Sequence, residues 1–144
     1  MTGSSEDRFA TEATAGNHFA WLNTRQALER TFMAWIRTAV SLISFGFTIV
    51  QFFQRFSQMQ SPGNRPLSPG APRVLGLALI GVGILCLAIS SWQYRQGVKY
   101  MWQPKFRAIS GIGERPIRSA AFLAAMVLLA IGLFAFLSVF FRLA

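Results

Sequence analysis

Of the 144 residues, 53% are apolar and only 13% charged, with 14 phenylalanines. Soluble domains carry about a quarter charged residues, so a soluble globular fold is excluded and the chain reads as an all-α integral membrane protein. The net charge of +9 suits nucleic acid, anionic lipid or a polyanionic solute; between membrane spans the lipid surface takes precedence, and no nucleic acid partner is expected.

Residues 1–17 are rich in Ser, Thr, Ala and Gly and hold three of the five acids, Glu6, Asp7 and Glu12. Few large apolar side chains are present to offset the entropy of ordering this stretch, and it is expected to be a disordered tail. It lacks the basic start and apolar core of a cleavable signal peptide, so the first span is expected to be retained. From Phe19 the pattern turns helical. Asn23, Gln26 and Arg30 share one line while Trp21 lies opposite, which predicts an amphipathic N-terminal lead-in helix, joined to the first span and capped by Asn17. His18, the single histidine, reads as an exposed interfacial residue.

Three apolar runs, Phe32 to Phe53, Val74 to Tyr94 and Ala120 to Phe141, can each cross about 30 Å of hydrocarbon at roughly 1.5 Å per residue. They predict three transmembrane helices over 32–54, 73–95 and 118–141 of one membrane domain, 18–144. The first carries the sharpest feature. At about 100° per residue, Arg30, Arg37, Ser41, Ser44, Thr48 and Gln51 fall within about 40° of one line. Leu28, Phe32, Trp35, Ala39 and Gly46 lie opposite.

Arg37 stands about 8 Å along the axis from Phe32, so its side chain alone can snorkel to the headgroups. The hydroxyls and the amide continue past that reach, and unpaired polar groups in hydrocarbon cost several kcal/mol. The line is therefore expected to face water or other helices, most simply copies of the same helix about a symmetry axis. The rival arrangement is internal: hydroxyls bonded to carbonyls one turn earlier, with Arg37 on Glu29 or on phosphate headgroups. Glu29 itself reads as a salt-bridge partner for the surrounding arginines, including Arg25 four residues before it.

The stretch 57–72 contains Pro62, Pro66, Pro69 and Pro72 and reads as a loop, with Pro72 in the first turn of the second span. In that span Gly76, Gly83 and Ser90 repeat every seven residues, a spacing that lets helix backbones approach closely in lipid. Cys86 is the only cysteine and reads as a small packing residue. The second connection, Arg95 to Arg118, carries six cations against the single acid Glu114 and reads as a solvated loop facing lipid. Trp92, Tyr94, Tyr100 and Trp102 supply an aromatic belt. On the third span Ala121, Ala125, Gly132 and Ala135 share one side.

Basic residues concentrate on the N-terminal segment and the second connection, which with three spans share a side. The positive-inside rule puts the N-terminus in the cytoplasm and the C-terminus in the periplasm or outside. Carboxylates near the spans reduce to Glu29 and Glu114, too few for an acid and base pair or a metal site, so neither an enzyme nor a cofactor is expected.

The string LERTFMAWIRTAVSLISFGF resembles the signature of the YidH family of small bacterial three-span proteins, through Glu29, Arg30, Thr31, Ala34, Trp35, Arg37 and Thr38. That resemblance implies a multi-pass protein of the bacterial inner membrane. The domain is also similar to the membrane part of the eukaryotic vacuolar transporter chaperone complex, which makes polyphosphate and passes it through a channel of three-span subunits. By position, the conduit arginines of that complex fall on Arg30, Arg95 and Arg118; its subunits carry a neutral residue at the position of Arg37, and its synthetic domain has no counterpart here. The expected function is a homo-oligomeric membrane subunit whose cation-lined conduit or site takes phosphate or polyphosphate. The alternative is a non-conducting adaptor that binds anionic lipid or a partner protein through the basic second connection.

Overall fold

The computed structural model describes residues 14–59, 70–111 and 119–141, and every regular element among them is helical. In chain order these are α1 (Ala15–Met59), α2 (Gly70–Met101), α3 (Pro104–Ser110) and α4 (Ala120–Phe141). Three of them, α1, α2 and α4, are long and apolar enough to cross a membrane. Most of the expected tail, the centre of the Pro-rich loop and Arg118 lie outside the described residues.

The 45 residues of α1 extend over about 67 Å in a single helix. Lead-in and span are continuous because no Gly or Pro stands between Gly16 and Gly46 to break the hydrogen-bond ladder. Thr14, rather than Asn17, caps this helix. The Thr14 hydroxyl accepts the Asn17 backbone N–H at 3.2 Å, which makes Asn17 the third helical residue and satisfies one of the free donors of the first turn.

The second connection is also more helical than its charge implied. α2 continues through Arg95 and Lys99 to Met101, and after a tight turn Pro104 opens α3. Gly111 ends α3 at φ 64°, the left-handed conformation that side-chain-bearing residues adopt at a cost.

Two heptad seams hold α1 against α2. On α1 the inward positions are Phe32, Ile36, Ala39, Ile43, Gly46 and Val50, at alternating spacings of four and three; on α2 they are Gly76, Ile80, Gly83, Leu87, Ser90 and Tyr94. This is the period of left-handed helix pairs. Small residues bring the backbones together where they meet. A Cβ on Gly83 would lie 2.8 Å from the Ala39 carbonyl oxygen and 2.7 Å from the Ile43 side chain. Lipid is as apolar as the helices, so close van der Waals packing rather than water exclusion supplies this association.

α4 lies along both helices. Ala121 and Ala125 join Phe32, Leu87 and Tyr94 in one core cluster, against which Cys86 packs. Val139 joins Val50 and Ile80 in a second cluster. Between them Gly132 admits Ile43 and Ile84. Ala135, expected on the packing side, is half-buried. The aromatic ladder at the upper end is tight: Phe32 and Tyr94 stack at 4.5 Å, and Tyr94 and Phe122 at 6.5 Å.

The remaining large side chains face outward, among them Phe45, Leu85, Ile89, Val127, Ile131 and Phe134, as a lipid-facing belt requires. α4 has no charged residue over its 22 positions, and its first and last turns meet α1 near Glu29 and Val50. Residues 15–28 of α1 therefore extend about 20 Å beyond the level at which α4 begins. There Trp21 Nε1 donates to the Met101 carbonyl at 3.3 Å, and His18 Nδ1 lies 2.6 Å from the Ser110 carbonyl. A carbonyl only accepts, so His18 carries its proton on Nδ1. Half-buried in this contact, His18 ties α1 to α3.

Candidate functional site

The polar line of α1 repeats with the period of its packing seam and is displaced by two residues: Arg30, Arg37, Ser41, Ser44 and Thr48 precede Phe32, Ala39, Ile43, Gly46 and Val50. Two residues turn a helix by about 200°, so the line lies about 160° away from α2. Arg30, Arg37, Ser41, Ser44 and Thr48 are accordingly exposed, and Gln51 is half-buried at the end of the row. Trp35, grouped with the packing face by its position on the wheel, is 45% exposed, and its neighbour Ile36 takes the seam position at 7%.

Arg30 and Arg37, with Gln26, Glu29 and Met33, line an open concavity of about 500 Å³. Arg30 sits close to the level where α4 begins, and Arg37 lies about 10 Å further along the axis. Among the described residues neither guanidinium makes an ion pair or hydrogen bond. The hydroxyls divide into two groups. Thr48 Oγ1 donates to the Ser44 carbonyl at 2.8 Å, as Thr31 does to Ala27 at 3.0 Å and Thr38 to Ala34 at 3.2 Å. These threonines satisfy themselves one turn back. Ser41 and Ser44 have no side-chain partner among the described residues.

Glu29 is half-buried beside this concavity, and Ser119 Oγ donates to its carboxylate at 3.0 Å. Ser119 immediately precedes α4, and its carbonyl accepts the first backbone N–H groups of that helix, Phe122 at 3.2 Å and Leu123 at 3.4 Å. One carboxylate thus anchors the start of α4 to α1, where the positive end of the helix dipole favours it. A serine just ahead of an apolar run is a cap signal; the tie to a residue 90 positions earlier has no sequence pattern. Arg25 lies over the Trp21 ring at 5.9 Å.

The remaining conduit candidates are placed elsewhere. Arg95 is on α2, its guanidinium 5.8 Å from the centre of the Phe122 ring, and it lines a separate groove between α2 and α4. Arg118 lies outside the described residues. The structure therefore brings Arg30 and Arg37 together with Glu29 and does not bring Arg95 to them within one chain.

Residues 23–100 match a family described as a domain of unknown function, DUF202. No curated protein and no solved structure matches, and the likeness to the vacuolar transporter chaperone rests on the residues of the sequence alone. The matched stretch covers more than half of the chain and contains Glu29, Arg30, Arg37 and Arg95. The chain belongs to the DUF202 family, the domain family of the YidH-like membrane proteins.

Proposed function

We propose that the protein is a membrane subunit that assembles with copies of itself through the outer face of α1, and that Arg30 and Arg37 form the cationic entrance of a conduit or site for phosphate-rich anions. The observation that carries this reading is the position of the polar line, turned away from α2. Among the described residues no other helix covers these groups, and lipid does not compensate an unpaired guanidinium or hydroxyl. A ring of first helices closes the line upon itself. Arginine forks at its mouth bind phosphate oxygens, and Ser41, Ser44, Thr48 and Gln51 continue as a neutral polar lining.

The positive-inside count supports an entrance on the cytoplasmic side, and the resemblance to YidH-like proteins supports a bacterial inner membrane. Phosphate and polyphosphate are the anions that suit it. The test is flux through reconstituted vesicles: wild-type protein is expected to pass phosphate or short polyphosphate at least about tenfold faster than an Arg30→Ala, Arg37→Ala variant, one lost charge-assisted contact being worth that much. Equal flux from the two proteins ends the conduit reading.

A further inference from the structure

A second cationic surface lies away from the α1 line, in the groove of about 390 Å³ between α2 and α4. One end is charged: Arg95 and Lys99 stand one turn apart on α2, both exposed, and among the described residues no carboxylate lines the groove. The α4 wall is apolar: Phe122 faces Arg95, and Met126 and Leu129 continue it toward the other end. Ser91 lies on α2, one turn below Arg95. It is 4% exposed, and its enclosed hydroxyl has no hydrogen-bond partner among the described residues.

That orphan hydroxyl has a local cause. A serine inside a membrane helix ordinarily donates to the carbonyl one turn back. For Ser91 this is Leu87, whose oxygen already accepts the hydroxyl of Ser90 at 3.1 Å besides the helical N–H of Ser91. Both lone pairs are taken. A buried donor left without a partner costs about as much as a lost hydrogen bond, and an acceptor from outside the chain removes that cost.

We infer that this groove holds one anionic phospholipid. Its phosphodiester lies between Arg95 and Lys99, its glycerol lies over Ser91, whose enclosed hydroxyl rotates outward to an ester oxygen, and an acyl chain runs down the Met126 and Leu129 wall. The order of the groups along α2 is that of a lipid molecule at an interface: cations where α4 begins, a hydroxyl one turn deeper, hydrocarbon beyond. The ladder of Phe122 under the Arg95 guanidinium orients that side chain across the groove. A free phosphate ion satisfies the cations only, and it leaves the hydroxyl and the apolar wall unused. This site is independent of the role assigned to Arg30 and Arg37.

Native mass spectrometry of the purified full chain in detergent tests it, with phosphatidylglycerol and phosphatidylcholine as competing probes. Wild-type protein is expected to retain phosphatidylglycerol in preference, and excess glycerol 3-phosphate is expected not to displace it. An Arg95→Gln, Lys99→Gln variant is expected to lose at least about tenfold in retention, since each contact is charge-assisted. Ala88→Phe, which fills the groove from an exposed position without altering charge, is expected to lose retention while keeping the wild-type unfolding temperature. Equal retention of the two lipids, or retention unaffected in either variant, overturns the proposal. Displacement by glycerol 3-phosphate overturns it as well, in favour of a site for soluble anions.

Discussion

Gly46 and Gly76 occupy each other's missing side chains: a Cβ on Gly46 would lie 2.7 Å from the Gly76 carbonyl oxygen, and a Cβ on Gly76 would lie 2.8 Å from that of Gly46. Both obstacles are backbone, which cannot rotate aside. Gly46→Ala or Gly76→Ala is therefore expected to push α1 and α2 apart and to cost about 1–3 kcal/mol, the usual penalty of overpacking. Gly81→Ala in the same helix meets only the Phe136 ring at 3.8 Å, and the gain in helix propensity makes it neutral or mildly stabilising. Thermal unfolding in detergent separates them: the first two lower the midpoint, and the third does not.

The hydrogen bond from Ser119 to Glu29 predicts coupling between residues far apart in the chain. A bond to a charged acceptor contributes about 1.5–3 kcal/mol. Glu29→Ala and Ser119→Ala are each expected to destabilise the packing of α4, and the double variant is expected to be little worse than either. A double-mutant cycle on unfolding free energy reads this directly. Strict additivity would show that the two side chains act separately.

Phe32 is 3% exposed and stacked on Tyr94. Its replacement by alanine leaves a cavity that the two neighbouring helices cannot collapse around, at a cost of about 3 kcal/mol. Phe32→Leu fills most of that space and is expected to recover more than half of the loss. Unfolding midpoints of the two variants give the comparison.

Self-assembly through the outer face of α1 predicts where a disulfide can form between copies. In a Cys86→Ser background, Ser44→Cys is expected to cross-link to a dimer under mild oxidation in membranes. Val127→Cys, on the outward side of α4 at 60% exposure, is expected not to. Cross-linking at Val127 with none at Ser44 would place the contact on the wrong helix. Labelling of a Thr48→Cys variant by a water-soluble thiol reagent is expected if the row is wetted.

Periodicity made much of the architecture legible. Gly76, Gly83 and Ser90 stand out because close backbone approach in lipid admits few other residue types, and the structure buries all three. The polar line of α1 was legible for the complementary reason: such residues are costly in hydrocarbon and fall at one angle. Individual positions were less so. Trp35 and Ile36 are both apolar, and only the heptad register set by Ala39 and Gly46 distinguishes the seam from the lipid face.

Features built on short or distant relationships left no readable trace. α3 has seven residues, too few for a helical period to emerge beside its lysine and arginine. The charge of Arg95 and Lys99 resembles a loop, although both are carried on the last turns of α2. Neither the bond between Glu29 and Ser119 nor the unpaired hydroxyl of Ser91 follows from spacing. The first needs α4 in place, and the second depends on which serine reaches Leu87.

The unbroken length of α1 has a mechanical consequence. The segment tied to α3 by His18 and to the end of α2 by Trp21 and the segment bearing Arg37 belong to one stiff rod without a joint. A push or twist applied outside the bilayer travels down that rod as a tilt or rotation of the whole polar row. Anything that grips the outer end therefore has leverage over the direction in which both arginines point.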